Sequence, residues 1–239
     1  MNQDLDLSIV LPAYNEENRI GPTLDKIEEY LSNKEYSYEI LVVDDGSTDE
    51  TAALIRKRAD KNPHLHLISN PGNQGKGYAV RNGVLHTRGK LVLFSDSDLS
   101  TPIGELDKLL YRLYTGVDVA IGSRHLEGSD IQVPQPWQRV WMGRIFNALV
   151  RILFGTSIQD TQCGFKLFRG DVARALFSFA TINRFGFDVE IIFLAKKMGY
   201  KVEEVPIIWI NDEETKVSAI KDSLNMFMDL LRIRCKMRR

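Results

Sequence analysis

Short apolar runs alternate with amphipathic stretches through the first half of this chain. Leu7 to Leu11 is a mostly apolar run with β-branched residues, halted by Pro12, and it reads as a buried strand. From Ile20 to Leu31 the apolar positions fall at 20, 24, 27 and 31, which is helical spacing. Glu39 to Val43 reads as a second buried strand, ended by Asp44-Asp45-Gly46. Thr48 or Asp49 is suited to cap a helix that runs on through Ala59. Leu65 to Ile68, Lys90 to Phe94 and Val117 to Ile121 are further strands. Gly75 to His86, behind a glycine-rich entry, and Ile103 to Tyr114 are the helices between them.

Alternation of this kind, with continuous apolar strands, predicts an α/β fold. Its mostly parallel central sheet is Rossmann-like and carries helices on both faces. The second half is less regular. Helices are expected over Trp137–Phe154, Val172–Phe179, Phe187–Met198 and Ile220–Ile233. A loop from Gln159 leads into a short strand ending near Phe168. Val202 to Trp209 reads as a strand, at an edge because of Pro206. No Pro-, Gly- or Ser-rich linker interrupts the chain, so a single domain over residues 1–239 is expected.

Composition narrows the function. The 239 residues are 44% hydrophobic, enough for a sizeable core, and the formal net charge of −1 gives no global field for nucleic acid. Cys163 and Cys235 have no metal-type spacing, which points to a reducing, cytoplasmic setting. His64, His66, His86 and His125 form no ligand pattern. Asp4 and Asp6 precede the first strand, so no signal peptide is expected. No run approaches the roughly 18 apolar residues of a transmembrane helix. Arg232, Arg234, Lys236, Arg238 and Arg239 crowd the C-terminus.

In parallel α/β sheets ligands gather outside the carboxyl ends of the strands. Each polar cluster falls there: Pro12–Glu17, Asp44–Asp49, Asp96–Asp98 and Gly122–His125. Asp96 and Asp98, one residue apart after the run Leu91–Phe94, would share a face and repel unless a cation lies between them. A hard divalent ion that also touches a diphosphate meets that need. Asp44 and Asp45 have two readings: a turn with helix capping, or acceptors for a base N–H or a ribose hydroxyl. Gly72-Asn73-Gln74-Gly75-Lys76-Gly77 matches neither phosphate-loop fingerprint; it is a flexible loop, or it brings Lys76 beside a sugar nucleotide. Arg124, directly after a strand, and Arg139 and Arg144 on the next helix are solvated or bind a second anion. Asp160 and Asp188 lie among Phe and Gly residues; each is a loop or cap residue, a catalytic base, or a partner behind the metal.

Taken in order, Pro12-Ala13-Tyr14-Asn15-Glu16-Glu17, Asp44–Asp49, Gly75-Lys76-Gly77, Asp96-Ser97-Asp98, Gly122-Ser123-Arg124, Asp160–Phe168 and Phe187-Asp188-Val189-Glu190 resemble the family 2 glycosyltransferases of GT-A fold. Among these the chain is most similar to polyprenyl- and dolichyl-phosphate glycosyltransferases, and the Asp160 segment resembles the dolichyl-phosphate glucosyltransferases. The resemblance implies a nucleotide-sugar donor, Mg²⁺ or Mn²⁺ at Asp96 and Asp98, and inversion at the sugar carbon. It implies a donor site of Pro12, Ala13, Tyr14, Glu16, Asp44, Asp45, Lys76, Asp96 and Ser97, and an acceptor-phosphate site of Arg124 and Arg139. Residues 1–125 would then form the nucleotide-sugar half. Residues 126–239 would form the acceptor half, ending in an amphipathic basic helix.

Two positions depart from relatives: Ser100 stands where mannosyltransferases often have Gln, and Gly143 where a Ser can assist the acceptor phosphate. The expected reaction is transfer of a hexose, glucose from UDP-glucose, to a polyprenyl or dolichyl phosphate, with Asp98, Asp160 and Asp188 as the catalytic carboxylates. The alternatives are a GDP-mannose-dependent mannosyltransferase, transfer to a sugar hydroxyl, or a non-enzymatic sugar-nucleotide-binding module. Attachment is expected to be peripheral at the cytoplasmic membrane face, through the helix Trp137–Phe154 and the basic C-terminal helix, or through an anchoring partner subunit. The same two helices equally fit ordinary core-facing packing.

Overall fold

The computed structural model describes residues 5–133, 137–211 and 219–237. Its centre is a seven-stranded sheet. In chain order the strands are β1 (Leu7–Ala13), β2 (Tyr38–Asp44), β3 (Leu65–Ser69), β4 (Leu91–Ser95), β5 (Val119–Ser123), β7 (Phe165–Arg169) and β8 (Val202–Pro206). They are arranged β3-β2-β1-β4-β7-β5-β8. A separate two-stranded sheet pairs β6 (Asp130–Val133) with β9 (Ile208–Ile210).

β1 is buried at all seven positions, as a strand covered on both faces must be. Each fully buried aliphatic side chain in it contributes about 1.5–3 kcal/mol. The helices α1 (Ile20–Ser32), α2 (Thr51–Ala59), α3 (Lys76–Leu85) and α4 (Leu106–Tyr114) connect the first five strands. α1 turns Ile20, Leu24, Ile27 and Leu31 inward, the stripe its spacing predicts. The second half adds α5 (Trp137–Phe154), α6 (Gly170–Phe179), α7 (Phe187–Lys197) and α8 (Ala219–Met237).

Four differences from the sequence expectation matter. β1 does not stop at Pro12 but runs on to Ala13. Its ladder with β4 ends at Val10–Phe94, so at Pro12 the strand has β2 alone as partner and the missing N–H is tolerated. The run Ile103–Tyr114 begins as a single 3₁₀ turn, Ile103–Glu105, before α4. The expected strand Val202–Trp209 divides into β8, at the sheet edge, and β9, which joins the second sheet. Above all, β7 enters between β4 and β5 and runs antiparallel to both. That reversal carries the loop preceding β7 to the edge where β1, β2, β4 and β5 end. Residues from both halves of the chain therefore build one sheet and meet at one edge.

Candidate active site

The strand-end acidic pair is held by backbone from three directions. Asp96 N–H donates to Gly164 O at 2.9 Å, tying the end of β4 to the loop before β7. The Thr23 hydroxyl of α1 donates to Ser97 O at 2.6 Å. Asp98 Oδ1 accepts from Ser100 N–H at 2.9 Å. Between them Leu99 takes φ 47°, left-handed backbone that a bulky residue adopts only under constraint. This turn, with Gly164 and Trp209, lines a cleft that contains both carboxylates. Gly164 is required there: a Cβ would lie 2.0 Å from Asp96 Oδ2.

Lys76, the first residue of α3, places Nζ 2.7 Å from Asp96 Oδ1. Apart from this ion pair, the buried oxygen has no partner among the described residues. Burial works to lower the Lys76 pKa, but Asp96, Asp188 and Asp98 outweigh it and hold the ammonium above its ordinary value. Burial, and then the charge of Asp96, push Asp98 up. Behind them Lys166 is buried in β7, donating to Cys163 O at 2.5 Å and to Asp188 Oδ1. Burial raises Asp188, and Lys166 and Lys76 only partly oppose it. Both ammonium groups also lie over the Phe94 ring, 5.6 and 5.7 Å from its centroid.

Do these residues suit a divalent ion? Among the described residues no three His, Cys, Asp or Glu side chains converge into a ready-made cage. A cation at Asp96 and Asp98 would need further oxygens from a substrate, as Mg²⁺ bound through one or two carboxylates plus phosphates does. Asp96 Oδ1, held only by the Lys76 ammonium, and the mutual repulsion of the pair fit such an ion.

Beside this cluster Arg124 and Asp160 close on each other. Arg124 Nε donates to Asp160 Oδ2 at 2.7 Å and Nη2 to Oδ1 at 2.8 Å, while Arg124 N–H adds a third bond at 3.0 Å. Asp160 is fully buried. Burial alone would raise it, but Arg124 dominates and brings it down to about 2. Glu204 of β8 accepts from Asp160 N–H and Gln159 N–H, both at 2.8 Å. The Arg124 guanidinium lies 5.4 Å from the Trp209 ring centroid. Asp160, a base candidate by sequence, thus has both oxygens engaged; its geometry orients Arg124. Asp188, the other base candidate, is likewise buried and paired.

At the ends of β1 and β2, Pro12 and Ala13 are buried and Tyr14 is half-buried. Asn15, at φ 54°, accepts from Thr48 N–H at 2.8 Å, and its own N–H donates to Ser47 Oγ at 2.9 Å. Glu16 forks onto Arg19 at 2.7 and 2.9 Å. Asp44 Oδ1 accepts from Ser47 N–H at 3.1 Å. Asp45 takes on a task the sequence did not reveal. Its oxygens accept from Asn70 Nδ2, Gln74 N–H and Gly75 N–H, at 2.8, 3.1 and 2.7 Å. It therefore orders the glycine-rich loop that delivers Lys76. Gly75 has φ +103°, and a Cβ there would meet Asn183 O at 2.5 Å. Arg139 lies on α5 with its side chain outside the described ones. Nothing in the order of residues singles out Gly164, Trp209 or Glu204. A lysine inside Phe165-Lys166-Leu167-Phe168 was the one available signal.

A mostly parallel sheet with an acidic pair and a lysine at its carboxyl edge is the frame of a GT-A nucleotide-sugar transferase. Residues 8–177 match the family model for glycosyl transferase family 2, and the chain belongs to that family. It is 39% identical over 239 residues to dolichyl-phosphate beta-glucosyltransferase ALG5C of Trichomonas vaginalis, spanning 95% of this chain and 70% of that one. Identity is 36% to the dolichyl-phosphate beta-glucosyltransferases of Dictyostelium discoideum, over 95% of this chain and 73% of that one. It is also 36% to that of Saccharomyces cerevisiae, over 98% and 75%. Among solved structures, glucosyl-3-phosphoglycerate synthase of Mycobacterium tuberculosis, in complex with Mn²⁺, UDP-glucose and phosphoglyceric acid, superposes with TM-score 0.69. It is 21% identical, over 97% of this chain and 80% of that chain, which shows the shared fold alone.

Proposed function

We propose that this protein transfers glucose from UDP-glucose to dolichyl or a related polyprenyl phosphate, with inversion at the sugar carbon. One observation carries the reading: Asp96, Asp98 and Lys76 converge at the end of β4 in a chain 36–39% identical to dolichyl-phosphate beta-glucosyltransferases. Asp96 and Asp98 would hold Mg²⁺ or Mn²⁺, which when bound supplies Lewis-acid stabilisation of the leaving diphosphate. Lys76 adds a compact positive charge beside it. Pro12, Ala13, Tyr14 and Asp44 border the nucleoside end, and Asp45 orders the loop behind it.

The acceptor phosphate is mostly dianionic at neutral pH, with a second pKa of about 6 by analogy with phosphorylated side chains. It needs no base. The burial of Asp160 and Asp188, each committed to a cation, favours such an acceptor over a sugar hydroxyl. Asp160 fixes the plane of Arg124, and that guanidinium holds the phosphate in line for attack.

A lipid acceptor calls for a membrane surface near the cleft. Among the described residues no helix is long and apolar enough to cross a membrane. α5 exposes Trp137, Trp141, Ile145 and Ile152, interleaved with exposed Arg144 and Arg151, and α8 exposes Phe227, Met228, Leu231 and Arg232. Aromatic and aliphatic side chains beside arginines suit an anionic, cytoplasmic leaflet. A labelled-transfer assay crossing UDP-glucose and GDP-mannose with dolichyl phosphate and soluble sugars tests the reading. Glucose should appear in a lipid product, chelator should stop it, and Asp98→Asn should lower turnover at least about 100-fold. Transfer from GDP-mannose alone, or unaltered turnover by Asp98→Asn, would defeat it.

A further inference from the structure

Lys76 occupies a place where positive charge is needed before any metal arrives. Its Nζ lies 2.7 Å from a buried Asp96 oxygen that has no other partner among the described residues. Asp98 and Asp188 act on the same ammonium. Lys166 is already committed to Asp188 and to Cys163 O. Three carboxylates (Asp96, Asp98 and Asp188) therefore share two ammonium groups, leaving a net charge of −1 in the cluster. Arg124 and Asp160 neutralise each other alongside.

A bare divalent cation would turn this net charge positive and would have to compete with Lys76 for Asp96. A divalent cation arriving with a nucleotide diphosphate, doubly charged in the sugar nucleotide and about triply charged in UDP, keeps the net charge negative. It also offers the displaced ammonium new oxygens. The long, flexible lysine stem, at the first residue of a helix and 23% exposed, allows that exchange.

We propose that Lys76 is an internal stand-in for the metal: it neutralises Asp96 in the donor-free protein and passes to the donor diphosphate when metal and donor bind together. Lys76 then couples the two binding events. The inference rests on the metal-dependent reading above and specifies its order.

The test is Mn²⁺ binding to the full chain, followed by electron paramagnetic resonance of free Mn²⁺ with and without UDP, each titration referenced to the same Mn²⁺ and UDP without protein. Wild type should bind Mn²⁺ weakly alone and roughly tenfold more tightly with UDP, a coupling of ordinary size. Lys76→Met should bind Mn²⁺ alone roughly tenfold more tightly than wild type, the scale of one lost charge-assisted contact. It should also lose most of the UDP enhancement, while Lys76→Arg should keep it. Circular dichroism melting checks that each variant folds. Equal or weaker Mn²⁺ binding by Lys76→Met without UDP overturns the stand-in role and leaves the metal site intact. Independent binding of Mn²⁺ and UDP to wild type also overturns it, whatever the variants do. Wild type that takes up no Mn²⁺ even with UDP overturns the metal-dependent reading together with this one.

Discussion

Gly164 and Asp96 are in closest approach. Asp96 N–H is bonded to Gly164 O at 2.9 Å, and a methyl group on Gly164 would stand 2.0 Å from Asp96 Oδ2. The backbone bond prevents retreat, so the carboxylate itself would have to swing out of the cleft. Gly164→Ala should cost about 1–3 kcal/mol of stability, the range for overpacking. It should reduce transfer far more than that loss implies. Thermal melting and turnover on one preparation check this; a variant with wild-type turnover would show that Asp96 needs no fixed position.

Acid stability should carry the mark of Asp160. Arg124 holds its folded pKa at about 2, below the ordinary 3.8. A depressed carboxylate contributes stability that is fully present above the unfolded pKa and is lost as pH falls through the folded one. The contribution of roughly 2 kcal/mol should thus persist at neutral pH and fade between about pH 4 and 2. Urea unfolding over that range measures it. Asp160→Asn should lack this component and should raise the acceptor KM more than the donor KM, because Arg124 loses its orientation.

Lys166 and Asp188 form a pair that should tolerate joint removal better than single removal. Lys166→Met leaves the Asp188 charge buried without its partner, at a cost of about 3–5 kcal/mol. Lys166→Met with Asp188→Leu should recover part of that loss while leaving transfer impaired, since Lys76 loses a neighbouring carboxylate. A double-mutant cycle with no coupling would remove the pair from this account.

The exposed face of α5 should matter for lipid and little for folding. Trp137 and Trp141 are 69% and 59% exposed, so replacing both with Ser should shift stability by no more than about 0.5 kcal/mol each. Co-sedimentation with vesicles containing anionic lipid should fall sharply in the variant. Transfer to a short, water-soluble polyprenyl phosphate should survive. Undiminished sedimentation would exclude this face of α5 as a membrane contact.

The period of apolar residues was enough to reveal the alternating first half, the helix faces and the strand-end position of Asp44, Asp96 and Arg124. Those features depend on local spacing, which a chain carries in its order. The antiparallel entry of β7 between β4 and β5 could not be read, because strand direction is decided by what else is available to pack. β6, four exposed residues long, gave no burial pattern to detect. Pairing among charges was equally invisible. By sequence Asp45 is a turn residue or a nucleotide acceptor, and Asp160 a loop residue, a base or a partner behind the metal; the bonds to Asn70 and Gly75 and to Arg124 lie outside what the order of residues displays. Order along the chain supplied the chemical groups; only three-dimensional packing decided which carboxylates pair with which cationic side chains, since charge pairing depends on distances of a few ångströms between segments far apart in sequence.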